Sequence, residues 1–160
     1  MRDLKDILEK NGCSDVRTHI QSGNVIVSSR VSSTESLAKQ ITAAISKSHG
    51  FEPTVLALTP GELQKAVSHN PFPQAGENPA SLHLFFLGGA PDRRDMKPLE
   101  AIKASTEAFA LKGNIFYLYT PDGFGRSKLA ARVEKLLGVE ATARNWRTVT
   151  KLLEMAGESG

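Results

Sequence analysis

The stretch Ile20-Gln21-Ser22-Gly23-Asn24-Val25-Ile26-Val27 returns in pattern ninety positions later as Ala110-Leu111-Lys112-Gly113-Asn114-Ile115-Phe116-Tyr117. An internal repeat restricts a chain more than any single motif, because both copies must fold alike. In each copy a Gly-Asn pair interrupts β-forming residues, which is a hairpin signature. Around the first hairpin, Leu4, Ile7 and Leu8 predict a helix over 2–11, stopped by Asn11-Gly12. Leu37, Ile41, Ala44 and Ile45 predict a second over 34–48, with Gly50 as C-cap. Thr54–Leu58 reads as a short strand, and Pro60 opens a helix to about Val67. The aperiodic, Pro/Gly/Asn-rich run from Asn70 to Pro79 reads as a linker. Beyond it come a strand over Leu82–Leu87, a helix over Arg94–Ala104 and a hairpin around Lys112-Gly113-Asn114. A helix over Lys128–Leu137, a strand over Val139–Ala143 and a helix from Trp146 to about Met155 close the chain. Shifting first-half elements by about ninety positions lands on second-half elements of the same type. The expected class is therefore α+β, with two tandem ferredoxin-like (βαββαβ-type) subdomains. The first, 1–69, lacks its opening strand; 70–81 is linker; the second is 82–160. A strandless edge in the first copy predicts self-association through that edge.

The 160 residues suit one ordinary domain or two small ones. Hydrophobic residues at 40% and charged residues at 23% describe a globular chain, not a disordered one. No apolar run approaches the ~20 residues that cross a bilayer, and the start Met-Arg-Asp-Leu-Lys-Asp lacks a signal-peptide core. Cys13 is the only cysteine, so neither a disulfide framework nor a cysteine zinc site is available. A cytoplasmic location without membrane attachment is expected. The net charge of +3 lies wholly in residues 81–160, and 121–151 alone carry +4.

Three blocks resemble a known family in the same order. They are Val16-Arg17-Thr18-His19-Ile20-Gln21-Ser22-Gly23-Asn24-Val25, Pro121-Asp122-Gly123-Phe124-Gly125-Arg126-Ser127-Lys128-Leu129 and Thr142-Ala143-Arg144-Asn145-Trp146-Arg147-Thr148-Val149. Together they make the chain similar, over essentially its whole length, to the bacterial family called domain of unknown function 1697. That resemblance implies a pair of α+β subdomains and carries no established biochemical activity. Members of the family open with a strand and a Gly-rich loop ahead of the helix that begins here at Met1, and this chain departs from the family there.

Gly123-Phe124-Gly125-Arg126-Ser127-Lys128 is the first candidate for chemistry. Read as the opening of a helix, it offers free N–H groups, glycines that admit close approach, the Ser127 hydroxyl and two cations, a set that suits an anion. A capped turn explains the same residues. Lys128, Arg132 and Lys135 extend the charge along one side, as on any solvated helix face. Arg144-Asn145-Trp146-Arg147 is the second candidate: two arginines clamp an anion, Asn145 caps a helix and Trp146 stacks on a ring or fills the core. Gln21, Ser22 and Asn24 at the first hairpin are a possible third site, although turn chemistry accounts for Asn24.

His19, His49, His69 and His83 show no metal-ligand spacing, and no Gly-x-Ser-x-Gly elbow or activated Cys is present. No metal and no cofactor is expected, and whether the chain is an enzyme stays open. The reading is a binding protein for a small anionic or phosphate-bearing ligand, held by the second subdomain. One rival is a nucleic-acid-binding module, against which stand 6% aromatic residues and no RNP-like block. The other is an enzyme whose site includes an N-terminal loop absent from this chain.

Overall fold

The computed structural model describes residues 2–19, 24–29, 33–50, 55–91 and 96–158. The chain divides into two compact units, one of residues 1–63 with 152–160 and the other of residues 64–151. The expected linker, 70–81, falls within the second.

In the first unit, α1 (Arg2–Lys10) precedes a hairpin of β1 (Cys13–His19) and β2 (Asn24–Ser29), followed by α2 (Thr34–His49). The strands pair antiparallel from Cys13↔Ser29 to His19↔Asn24, with a bulge between Ser14 and Arg17 that holds Asp15 at φ 49°. The turn residues Gln21 and Ser22, both in the possible third site, lie outside the described residues. α2 has local signals at both ends. The Ser33 hydroxyl accepts from the Ser36 N–H at 3.3 Å, and Gly50 stops the helix at φ 75° by donating to the Ser46 carbonyl. α3 (Pro60–Ser68) opens with a capping box, in which Thr59 and Glu62 exchange bonds of 2.9 and 3.1 Å.

The second unit holds β3 (Leu82–Leu87), α4 (Lys97–Ile102), β4 (Ala108–Lys112), β5 (Ile115–Tyr119), α5 (Val133–Leu137), β6 (Ala141–Asn145) and the start of α6 (Trp146–Glu158). Its sheet runs β4-β5-β3-β6 with every neighbour antiparallel, the βαββαβ succession expected of the second half. Directly paired residues share a face. Phe85 opposite Phe116 and Ala143, and Leu118 opposite Phe109, therefore form one face. Leu99, Leu129, Val133 and Leu137 cover it, each fully buried. On the other face Tyr117 donates its hydroxyl to the Ala66 carbonyl at 2.6 Å, and Phe72 stacks on Tyr119 with ring centroids 5.8 Å apart.

Three expectations are corrected. Residues 55–58 form no strand, and Thr54 lies outside the described residues, so the described part of the first sheet has two strands against four in the second. The counterpart of β6, ninety positions earlier, falls at 51–55, of which 51–54 lie outside the described residues. The helix expected over Lys128–Leu137 is a 3-10 turn, Ala130–Arg132, followed by the five-residue α5. Arg132 donates its N–H to Leu129, three residues back, at 2.9 Å, and its backbone at φ −121°, ψ 5° leaves the helical region, so the ladder restarts at Val133. The strand expected over 139–143 lies two residues later, where Ala141 to Asn145 find partners on β3. Among the described residues no helix is long and apolar enough to cross a membrane.

Candidate functional site

Strand register decides which candidate residues meet. Leu82 pairs with Tyr119 and His83 with Asn145, so β5 and β6 both finish at the end of the sheet where β3 begins. The turn after β5 and the start of α6 therefore leave the sheet together. They are the two cationic stretches singled out in the sequence.

The turn is built from its glycine outward. Gly123 sits at φ 116°, a conformation that side chains rarely adopt, and its N–H donates to the Thr120 carbonyl at 3.1 Å. Phe124–Arg126 then forms a 3-10 turn. The Phe124 ring lies on the His83 imidazole, with centroids 3.7 Å apart and planes 17° from parallel. Ser127 is buried and its hydroxyl accepts from the Ala130 N–H at 3.0 Å, which is the capping role. Gly125, Arg126 and Lys128 are exposed. No long helix opens here, so the charge that a helix terminus would supply is absent; the anion-attracting feature that remains is the pair of exposed cations.

Asn145 reaches the same end of the sheet. Its Oδ1 accepts from the Thr148 N–H at 2.9 Å, capping α6. Trp146, half-buried, begins the helix, and Arg147 is exposed on its first turn. Arg144 does not join the turn. It pairs with Leu84, whereas His83 and Asn145 pair with each other, and successive strand residues face opposite ways. Arg144 thus lies on the sheet face away from Phe124, donates to the Ala143 carbonyl at 2.8 Å, and burial pushes its pKa down. Asn24 begins β2 in the other unit and is buried. Among the described residues no group of three or more His, Cys, Asp or Glu is placed to hold a metal ion.

Sequence reasoning missed the contact between His83 and Phe124. His83 Nδ1 is buried without a hydrogen-bond partner among the described residues, and burial pushes the imidazole pKa down to about 4. The available signal was one imidazole in the otherwise apolar run Leu82–Leu87. In the first unit, a recess of about 440 Å³ is lined by Gly12, Cys13, Ser14, Ser28 and Ser29. Burial raises the Cys13 thiol pKa, so it stays protonated, and nothing in that lining suggests chemistry.

The sequence model of the family described as Protein of unknown function (DUF1697) matches residues 1–117. The chain belongs to this family. In this DUF1697 chain the match takes in the first hairpin, β3, β4 and the first part of β5, and both cationic stretches lie past its end. Among solved structures, the chain is similar to the conserved bacterial protein SP0830 from Streptococcus pneumoniae. The two are 18% identical with a TM-score of 0.72, over 98% of this chain and 88% of that one. At that identity the likeness shows the mixed α+β fold and nothing of function. No curated protein matches the chain.

Proposed function

We propose that this chain binds a small anionic, phosphate-bearing ligand at the end of the four-stranded sheet where the Gly123–Lys128 turn and the start of α6 emerge together. The observation that carries the reading is the joining of both stretches through His83: Phe124 stacks on its ring and Asn145 pairs across from it. Arg126, Lys128 and Arg147 are exposed there, and the nearest acid along the turn, Asp122, is engaged by the Thr106 hydroxyl. Arg126 offers a planar donor fork and Lys128 a mobile point charge, a pairing suited to phosphate oxygens. Gly123, Gly125, Ser127, Asn145 and Trp146 shape the two stretches, and Arg144 lies outside the site. A tandem duplication belongs to the same reading, supported by α1, β2 and α3, which fall near α4, β5 and α6 at an offset of about ninety.

Thermal melts test the ligand class. Millimolar phosphate or sulfate is expected to raise the wild-type melting temperature; at ten times Kd the gain is about 1.4 kcal/mol. Arg126→Ala with Lys128→Ala is expected to abolish that rise. It should move the anion-free stability by less than about 0.5 kcal/mol, since both side chains are exposed. An equal rise in both proteins, or none in wild type, refutes the assignment.

A further inference from the structure

We propose that His83 is a proton-operated latch on this turn: its neutral imidazole holds Phe124 down, and protonation releases the turn. Three observations carry the inference. The two rings are in close, nearly parallel contact. In the half-buried His83 side chain, Nδ1 is buried with no hydrogen-bond partner among the described residues. Phe124 stands between two glycines, and around Gly125 a Cβ would meet nothing within 4 Å, so the backbone there is uncrowded; another ring touching Phe124 is that of Phe85, tilted, with centroids 6.0 Å apart. The segment's anchors are the Gly123–Thr120 bond, the Ser127 N–H bond to the Phe124 carbonyl at 3.1 Å and the Ser127 hydroxyl cap.

A neutral imidazole can stay under an aromatic ring, because leaving one nitrogen unpaired costs far less than burying an unpaired charge. An imidazolium gains some attraction to the Phe124 face, but less than it loses by giving up water without an acid partner. Among the described residues the neighbouring elements offer no such partner at the ring. β5 presents Leu118 and β6 presents Asn145, while the β5 phenols Tyr117 and Tyr119 face the other way. Along the turn the charges are Asp122, bonded to Thr106, and the cations Arg126 and Lys128; Arg144 and Arg147 flank Asn145. Desolvation alone lowers the imidazole pKa from 6.5 to about 4. With the turn open, His83 regains its ordinary value. The closed turn is therefore fully favoured above pH 6.5, and each unit below that favours opening about tenfold until pH is near 4. If the anion site proposed above is correct, opening also adds a further cation to Arg126, Lys128 and Arg147, so that anion and proton assist each other's binding reciprocally.

NMR titration of wild type, His83→Phe and Phe124→Ala decides the matter, with Phe124→Leu as the milder uncovering variant should the alanine protein fail to fold. Sulfate serves as the anion because its charge is constant over the range. The wild-type His83 ring is expected to titrate above the closed-turn value of about 4 and more than about half a unit below 6.5, with the Gly123 and Gly125 amides moving at the same midpoint. Uncovering the ring is expected to raise that midpoint by about one unit or more, and His83→Phe to stop the amides from responding. A wild-type midpoint within about half a unit of 6.5, a midpoint indifferent to Phe124, or an unchanged response in His83→Phe overturns the latch. Sulfate binding without these responses leaves the anion site standing and the latch refuted; these responses without sulfate binding at any pH do the reverse.

Discussion

Phe116→Ala is expected to destabilise the second unit by about 3–5 kcal/mol. Phe116 is fully buried at the centre of the sheet. The Phe85 ring meets it edge-on, with centroids 5.9 Å apart and planes at 80°, and Phe109 stacks on it at 5.4 Å. Truncation removes the ring from all these contacts at once. The cavity cannot collapse cheaply, because β3 and β4 hold its walls through their ladders with β5. Urea unfolding should show a large drop in midpoint with little change in slope. A loss below about 1 kcal/mol would mean that the aromatic cluster does not organise this core.

Tyr117→Phe is the second large effect, and it isolates one polar bond. The hydroxyl donates to the Ala66 carbonyl at 2.6 Å, and both residues are about 1% exposed. Removing the hydroxyl strands a buried carbonyl where water cannot replace the donor, at a cost of about 1–3 kcal/mol. Burial also raises the phenol pKa from 10.0 to about 12. Between those values the unfolded chain loses the proton more readily than the folded one, so this group's contribution is complete below pH 10 and fades as pH rises toward 12. Wild type should therefore lose stability over that range relative to Tyr117→Phe. Parallel curves for the two proteins would contradict the burial of the phenol.

How far the sequence could be read follows from which interactions are local. The α2 boundaries were legible because Ser33 and Gly50 act within a turn of their own helix. The second hairpin was legible because Gly113, at φ 59°, closes it on the spot. Residues 55–58 are apolar enough for a strand, but a strand exists only by pairing, and composition cannot supply the partner. Over 128–137 the apolar spacing is helical, and Leu129, Val133 and Leu137 lie in the core. That spacing could not distinguish an α-helix from a 3-10 turn joined to one, because periodicity reports faces and not hydrogen bonds. At the candidate site the cations could be named from sequence. Their grouping could not: it depends on the pairing of His83 with Asn145, which places Arg144 on the other face, and on a ring contact between positions 83 and 124.

The most direct test of the central claim is a sulfate titration at neutral pH, followed amide by amide in the 15N spectrum of the wild-type protein. Saturable shifts in both 123–128 and 145–148, with one common affinity, are the expected result, since a single ligand would bridge two stretches that leave the sheet side by side. Shifts confined to one stretch, spread evenly over exposed lysines and arginines, or absent would contradict it.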